Sequence, residues 1–214
     1  MWLVNVSQIY LIGLVAMLLF AIWFFINRHR SQYFLSAFIV AAVTLLTYEV
    51  LLDGTLVGMS ESGDVIYYTR WLFYALSCSV LMATIAKFIK SPEKNLPAII
   101  MMNVLVMISG AVAAVVDGPM KWVIFIFGGF FYVWQLMLLF EKVKDDEKSA
   151  IIKRYILIGW TAFPIVFMLA PEGLGLIDNI LAAALYLLLD VYAKGMFYIE
   201  IAAPDIRKKK LKKK

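Results

Sequence analysis

Two ionisable residues stand where ionisable residues are expensive. In the last long apolar run, Leu187-Leu188-Leu189-Asp190-Val191-Tyr192-Ala193-Lys194, an acid precedes a lysine by one helical turn. A lysine near the middle of a membrane-length helix costs roughly 2.5–3.5 kcal/mol on insertion scales, so such a residue is a functional candidate by default. On a helix the two side chains share a face. An amine in an apolar pocket is readily deprotonated and can then attack a carbonyl to form an imine. The imine, once protonated, is a buried cation, and Asp190 is its nearest counter-ion in sequence. The alternative is a lysine that snorkels to the interface beside a chance acid, and the depth of Lys194 in the run argues against it.

The elements that must hold this pair follow from composition. Of the 214 residues, 64% are hydrophobic and 16% charged, against about 45–50% and 25% in soluble domains. The chain therefore reads as an all-α membrane protein, a bundle of seven transmembrane helices. They are placed at about 6–26, 33–52, 66–88, 96–115, 121–140, 152–170 and 177–201. The first run lacks a basic leader and a clear cleavage site, so it is read as a retained helix. Residues 1–203 form one helical domain and 204–214 a basic tail.

The loops divide by charge. Arg28, Arg30, Lys87, Lys90, Lys94, Lys142, Lys144, Lys148, Lys153, Arg154 and the tail fall on one side, and Asp53, Glu61, Asp64, Asp117 and Glu172 with Lys121 on the other. The positive-inside rule then puts the N-terminus outside and the C-terminus in the cytoplasm. The net charge of +5 is thus a topology signal rather than a nucleic-acid patch, although the tail can also touch anionic lipid. A single cysteine, Cys78, excludes an intrachain disulfide, and with one histidine, His29, no Cys- or His-built metal site is expected. Short loops leave no room for an extramembrane catalytic domain, so a transporter or receptor is expected rather than an enzyme.

On the third predicted helix Arg70, Phe73, Tyr74, Ser77 and Thr84 recur at helical spacing and line one stripe. Arg70 lies at the outer end, where it can reach Asp190 or water, or snorkel to the headgroups. Ser77 can hydrogen-bond near the imine or back-bond to its own helix. Cys78 reads as a small apolar packing residue. The sixth run contains Trp160-Thr161-Ala162-Phe163-Pro164. There Trp160 and Phe163 share a face and Pro164 is expected to kink the helix. With Trp71 and Trp134 these supply aromatic walls for a long, flat ligand. Gly128-Gly129 suits a close-packing point on the fifth helix.

These residues resemble those of a microbial rhodopsin over essentially the full length of the chain. Asp190-Val191-Tyr192-Ala193-Lys194 resembles the family's Asp-x-x-x-Lys retinal-linkage motif, and Trp160-x-x-Phe163-Pro164 its Trp-x-x-Tyr-Pro, with phenylalanine for tyrosine. The resemblance implies all-trans retinal bound covalently to Lys194 as a Schiff base, a homotrimer, and the plasma membrane of a prokaryote. Outward pumps carry, three residues after the arginine, the aspartate that accepts the Schiff-base proton; here that position is Phe73. The Arg70-x-x-Phe73-Tyr74-x-x-Ser77-Cys78 pattern resembles schizorhodopsins, inward proton pumps with a Phe-Ser-Glu signature. Thr84 stands where that group has glutamate. A rival register aligns Trp71-Leu72-Phe73 with the Trp-Leu-Phe of outward pumps and sets Arg70 beside the imine. Like charges about 4 Å apart repel by roughly 4 kcal/mol at an effective dielectric near 20, which disfavours it.

The expected function is therefore light-driven inward proton transport, with Asp190 held ionised by Arg70 and the imine, and Tyr74 and Ser77 shaping the gate. A light sensor or non-pumping photoreceptor with the same chromophore chemistry is the alternative.

Overall fold

The computed structural model describes residues 5–59 and 65–211, with backbone only for 59, 65, 66 and 207–211. The expected outer acids Glu61 and Asp64, and the tail lysines beyond residue 211, lie outside the described residues. Seven helices are long and apolar enough to cross a membrane: α1 (Val6–Ile26), α2 (Phe34–Asp53), α3 (Tyr68–Ile89), α4 (Leu96–Val115), α5 (Pro119–Phe140), α6 (Glu147–Leu169) and α7 (179–211). Because successive helices run in opposite directions, the loops fall at two ends. We call the end with Asp117 and Glu172 the acidic end, and the end with Lys87, Lys94 and Arg154 the basic end.

Local chemistry sets the boundaries. Asn5 caps α1 in a reciprocal box, accepting from the Gln8 amide at 2.9 Å while its own amide donates to the Gln8 side chain at 3.1 Å. A second box, Asp146 with Ser149, starts α6 at Glu147, a turn and a half earlier than the hydrophobic run indicates. Asp178 caps α7 through the Leu181 amide at 2.8 Å. The α2–α3 connection, expected as a plain loop, contains a short antiparallel ladder, β1 (Val57–Met59) with β2 (Val65–Tyr67), in which Val57 pairs with Tyr67. Its β-branched and aromatic residues suit a pleated edge. At its far end α7 continues through Pro204 to Leu211, past the expected start of the tail.

Neither α6 nor α7 is a regular α-helix. Each carries a π-helical segment, Ile156–Trp160 in α6 and Val191–Met196 in α7. The distortion expected at Pro164 sits just before it: the Thr161 amide donates to the Ile156 carbonyl at 3.0 Å, a five-residue closure. Proline has no N–H for the carbonyl one turn back, which loosens the helix there.

Burial ranks the helices. In α3 56% of the most apolar window is buried, against 17% in α5, so α3 is the central helix and α5 mostly faces lipid. At the basic end α1, α2, α3, α6 and α7 share one continuous core that includes Phe24, Phe34, Leu81, Met82, Ile85 and Phe197. At the acidic end a smaller cluster, Ile9, Tyr10, Met17, Tyr48 and Leu51, joins α1 and α2 to Ala183 of α7.

Candidate functional site

Lys194 and Asp190 are each 1% exposed, and their Nζ and Oδ1 atoms lie 2.8 Å apart. Neither atom is aligned for a hydrogen bond, so the contact is an ion pair rather than a directed bond. The second carboxylate oxygen, Oδ2, accepts from Tyr48 of α2 at 2.8 Å and from Tyr74 of α3 at 2.7 Å. Hydroxyls donated to a carboxylate form charge-assisted hydrogen bonds. The Lys194 ammonium also lies over the Tyr74 ring, 3.4 Å from its centroid. Desolvating two ions costs several kcal/mol each, so the pair is tenable only with partners of this kind. Three helices thus converge on one carboxylate.

Tyr48 reaches it because Gly13 faces it from α1. A Cβ at Gly13 would lie 2.4 Å from the Tyr48 ring, so any other residue there would push the phenol aside. On the basic side of Lys194 the hydroxyl of Tyr155 donates to the Ala193 carbonyl. That contact ties the residue just before the π segment of α6 to the π segment of α7, next to Lys194.

Lys194 opens into a cavity of about 210 Å³. Its wall includes Trp71, Tyr74 and Cys78 of α3, Trp160, Phe163, Pro164 and Phe167 of α6, and Phe125 and Tyr132 of α5. Trp71 lies against α4 where Gly110 makes room: a Cβ there would come within 2.2 Å of the indole. Phe163 stands edge-on to Tyr74 at 5.6 Å and stacks on Tyr186 at 6.1 Å. The result is a cavity walled largely by aromatic side chains, with Lys194 among its lining residues.

The sequence-predicted residues separate accordingly. Lys194, Asp190, Tyr74, Cys78, Trp71, Trp160, Phe163 and Pro164 are brought together, and Arg70 borders the same cavity. Trp134 is not part of it. It is 44% exposed and stands edge-on to Phe130, because it lies two residues, about 200°, beyond the wall residue Tyr132. Phe73 is half-buried and absent from the cavity wall. Ser77 is fully buried, and its hydroxyl has no hydrogen-bond partner, neither at the imine position nor on its own helix.

Arg70 corrects an expectation. The ion-pair partner of Asp190 is Lys194, and the Arg70 guanidinium instead lies over Tyr186, 4.0 Å from its centroid. Tyr186 sits one turn before Asp190 on α7. Tyr74, Tyr10, Tyr186 and Glu172 are the groups that act on the arginine's charge. Glu172 is itself positioned from α5, where Lys121 donates to its backbone carbonyl at 2.8 Å and pairs with Asp117 at 3.3 Å. Thr84 lies two turns from Ser77 toward the basic end, where its hydroxyl donates to Val80 at 2.9 Å and accepts from Tyr198 at 3.3 Å.

Several wall residues were missed from sequence. Asn103 and Gln135 could have been found, because an amide inside a membrane helix must find partners. Asn103 donates to the Ser79 hydroxyl at 3.1 Å and Gln135 to the Ile99 carbonyl at 3.2 Å. Tyr48 and Tyr186 gave no such signal, since tyrosines in apolar runs are ordinarily interface residues.

Comparison with known proteins agrees with this architecture. Residues 4–203 match the family model described as bacteriorhodopsin-like protein. The crystal structure of schizorhodopsin 4 superposes with a TM-score of 0.86 at 33% identity, covering 92% of this chain and 98% of that one. Bacterial rhodopsin CSR3 of Haloarcula vallismortis is 29% identical over 133 residues, 58% of this chain and 56% of the relative. Sensory rhodopsin-1 of Halobacterium sp. (strain SG1) is 25% identical over 144 residues, 64% of this chain and 58% of the relative. The chain thus spans little more than half the length of these two curated relatives. Rhodopsins of this kind bind retinal through a Schiff base to a lysine. A family match over nearly the whole chain, on a seven-helix bundle with a buried lysine in the wall of an aromatic cavity, makes this protein a member of the bacteriorhodopsin-like family of microbial rhodopsins.

Proposed function

We propose that this protein is a light-driven inward proton transporter, with all-trans retinal held as a Schiff base on Lys194. The wall residues suit that group: they are rich in aromatic side chains and include Lys194, whose Nζ is buried without a directed hydrogen bond. When bound, retinal supplies light absorption and a photoisomerisation that reorients the N–H at Lys194. Trp71, Trp160, Phe163 and Pro164 would hold the polyene.

The observation that carries the direction is the state of Asp190. One of its oxygens faces Lys194 Nζ and the other accepts two phenols. Both of its oxygens are thus already engaged by other groups. Phe73, where outward pumps place their acceptor, has no titratable group. A proton leaving Lys194 Nζ therefore meets no ready base toward the acidic end, and departs toward the basic end, past Thr84 and Tyr198. Arg70, Tyr186 and Glu172 line the side from which the proton is replaced. Charge asymmetry supports an acidic end outside and a basic end in the cytoplasm. The plasma membrane of a prokaryote and a homotrimer complete the reading, the trimer from family resemblance alone.

A light sensor with the same chromophore chemistry is the second reading. Thr84 in place of a carboxylate favours it, as does the similarity to a sensory rhodopsin. The test is light-induced pH change in an unbuffered suspension of cells expressing the protein with all-trans retinal, with Lys194→Ala as the dark control. External alkalinisation abolished by a protonophore is expected. A coloured protein without a pH signal would leave the sensor, and a colourless one would remove both readings.

A further inference from the structure

We propose that Asp205, near the basic end of α7, is the carboxylate that receives the transported proton, in the role that Thr84 cannot fill. The inference rests on the inward-transport reading and names its exit. Thr84 cannot hold a proton as an acid, but its hydroxyl is bonded to Tyr198, which is completely buried. Ser36, in the first turn of α2, also interacts with the Tyr198 hydroxyl. Two turns on from Tyr198, on the same face of α7 and about 10 Å further along, comes Asp205.

Asp205 is half-buried, and its Oδ2 accepts from the buried Ser31 hydroxyl at 2.7 Å. Ser31 lies two residues before Tyr33, whose amide contacts the Ser31 hydroxyl at 3.4 Å and whose carbonyl accepts from Ser36 at 2.8 Å. The turn that opens α2 therefore places the Ser36 hydroxyl near Tyr198 and the Ser31 hydroxyl against Asp205, with the Tyr33 backbone between them. Tyr33, outside the membrane-spanning segment, registers the carboxylate: burial first, and then the Asp205 charge, raise its phenol above the ordinary value.

Three other acids at this end are differently engaged. Glu200 pairs with Arg154 at 2.5 Å and Asp145 with Lys153 at 2.8 Å. Glu141 accepts from Asn95 at 2.7 Å and faces Lys94 at 3.9 Å. A cation beside a carboxylate opposes its protonation. Among the described residues the contact at Asp205 is a hydroxyl, which can donate to the carboxylate or accept from the acid. In the proposed step the proton from Lys194 Nζ ends on an Asp205 oxygen, and Asp205 then loses it to cytoplasmic water. Between Tyr198 and Asp205 lie the buried Ile201 and Ala202, so the path must open transiently.

The test uses the retinal-loaded full chain in vesicles, with light-minus-dark infrared difference spectra and a pH dye on the basic-end side. Wild type is expected to show a transient protonated-carboxyl band together with inward proton release. Asp205→Asn, which keeps an acceptor for Ser31, should lose the band at unchanged colour and release protons about tenfold more slowly. Asp205→Glu should keep the release and shift the band, and it serves if the asparagine variant fails to fold. A band and release kinetics unchanged in both variants would overturn the assignment to Asp205 and leave inward transport standing. No inward release from wild type would overturn the transport reading and the exit with it.

Discussion

The halves of the bundle on either side of Lys194 are built from different side chains. Toward the acidic end the interior holds Asp190, Arg70 and the phenols of Tyr48, Tyr74 and Tyr186, with Tyr10 and Glu172 acting on the arginine's charge. Toward the basic end it is packed with Phe24, Phe34, Leu81, Met82, Ile85 and Phe197, and its polar pair is Thr84 with Tyr198. One half stabilises charge and the other excludes it. In such a frame the polar half holds the resting cation in place and the apolar half is the barrier. Direction of transport then depends on which half a displaced proton can cross, not on where the acids are most numerous.

Removing the charge from the polar half should have the largest effect. Asp190→Asn leaves Lys194 without its anion, and breaking one partner of a buried pair costs about 3–5 kcal/mol. With retinal bound, the pigment should bleach at lower pH than wild type, because the positive form at Nζ loses stabilisation, and the inward signal should vanish. A titration of colour against pH that matches wild type would show that the polar half does not depend on this carboxylate.

Tyr48→Phe is milder. It deletes one of two hydroxyls on Asp190, worth about 1.5–3 kcal/mol for a bond to a charged group. Thermal bleaching of the pigment should shift down while colour remains. Equal bleaching curves would mean that Tyr74 alone suffices.

Thr84→Glu attacks the contrast from the other side by placing a carboxyl in the apolar half beside Tyr198. Release toward the basic end should accelerate severalfold, on the order of the gain from a positioned proton acceptor. Flash photolysis with a pH dye reads this directly, and slower release would mean that the dry barrier is needed intact.

The smallest effect belongs to the basic-end loops. The Asn95 amide, and then Lys94, hold the Glu141 carboxyl below its ordinary value. That contribution is present above the ordinary carboxylate range and is lost as pH falls through the lowered value. Asn95→Ala should therefore reduce thermal stability at neutral pH, with the gap to wild type narrowing in acid. It will not close, because Asn95 also donates to the Leu138 carbonyl at 3.0 Å.

Much of this was legible in the sequence. Hydrophobic runs gave seven spans, and Asp190, Lys194, Trp160 and Phe163 announced themselves by type and spacing. Boundaries set by polar caps were harder: Asp146 and Ser149 start α6 inside a charged loop that a hydrophobicity pattern passes over. Trp134 was misplaced because aromatic type was read without its angular position on α5. Arg70 was assigned to Asp190 because spacing along one helix cannot show that its guanidinium lies over the ring of Tyr186 on another. Tyr48 depended on an absence, the missing Cβ of Gly13 on a different helix. Contacts between helices are set by shape, which a linear pattern does not encode.

The paired π segments carry a further consequence, one of counting. A π closure accommodates one residue more than an α closure, so each segment acts as a single-residue insertion within its helix. Deleting one residue from Ile156–Trp160 would let α6 close as a regular helix with its two parts still in phase, whereas closing the segment as α-helix at full length would turn everything on one side of it by about 100°. The Tyr155–Ala193 and Arg154–Glu200 contacts anchor the basic-end part of α6 to α7, so the part that turns is the cavity wall from Trp160 onward. The aromatic wall is thus held in phase by residue number as much as by residue type. A full-length chain in which that segment wound as a regular α-helix could keep every wall residue and still present the wrong face of α6 to the ligand.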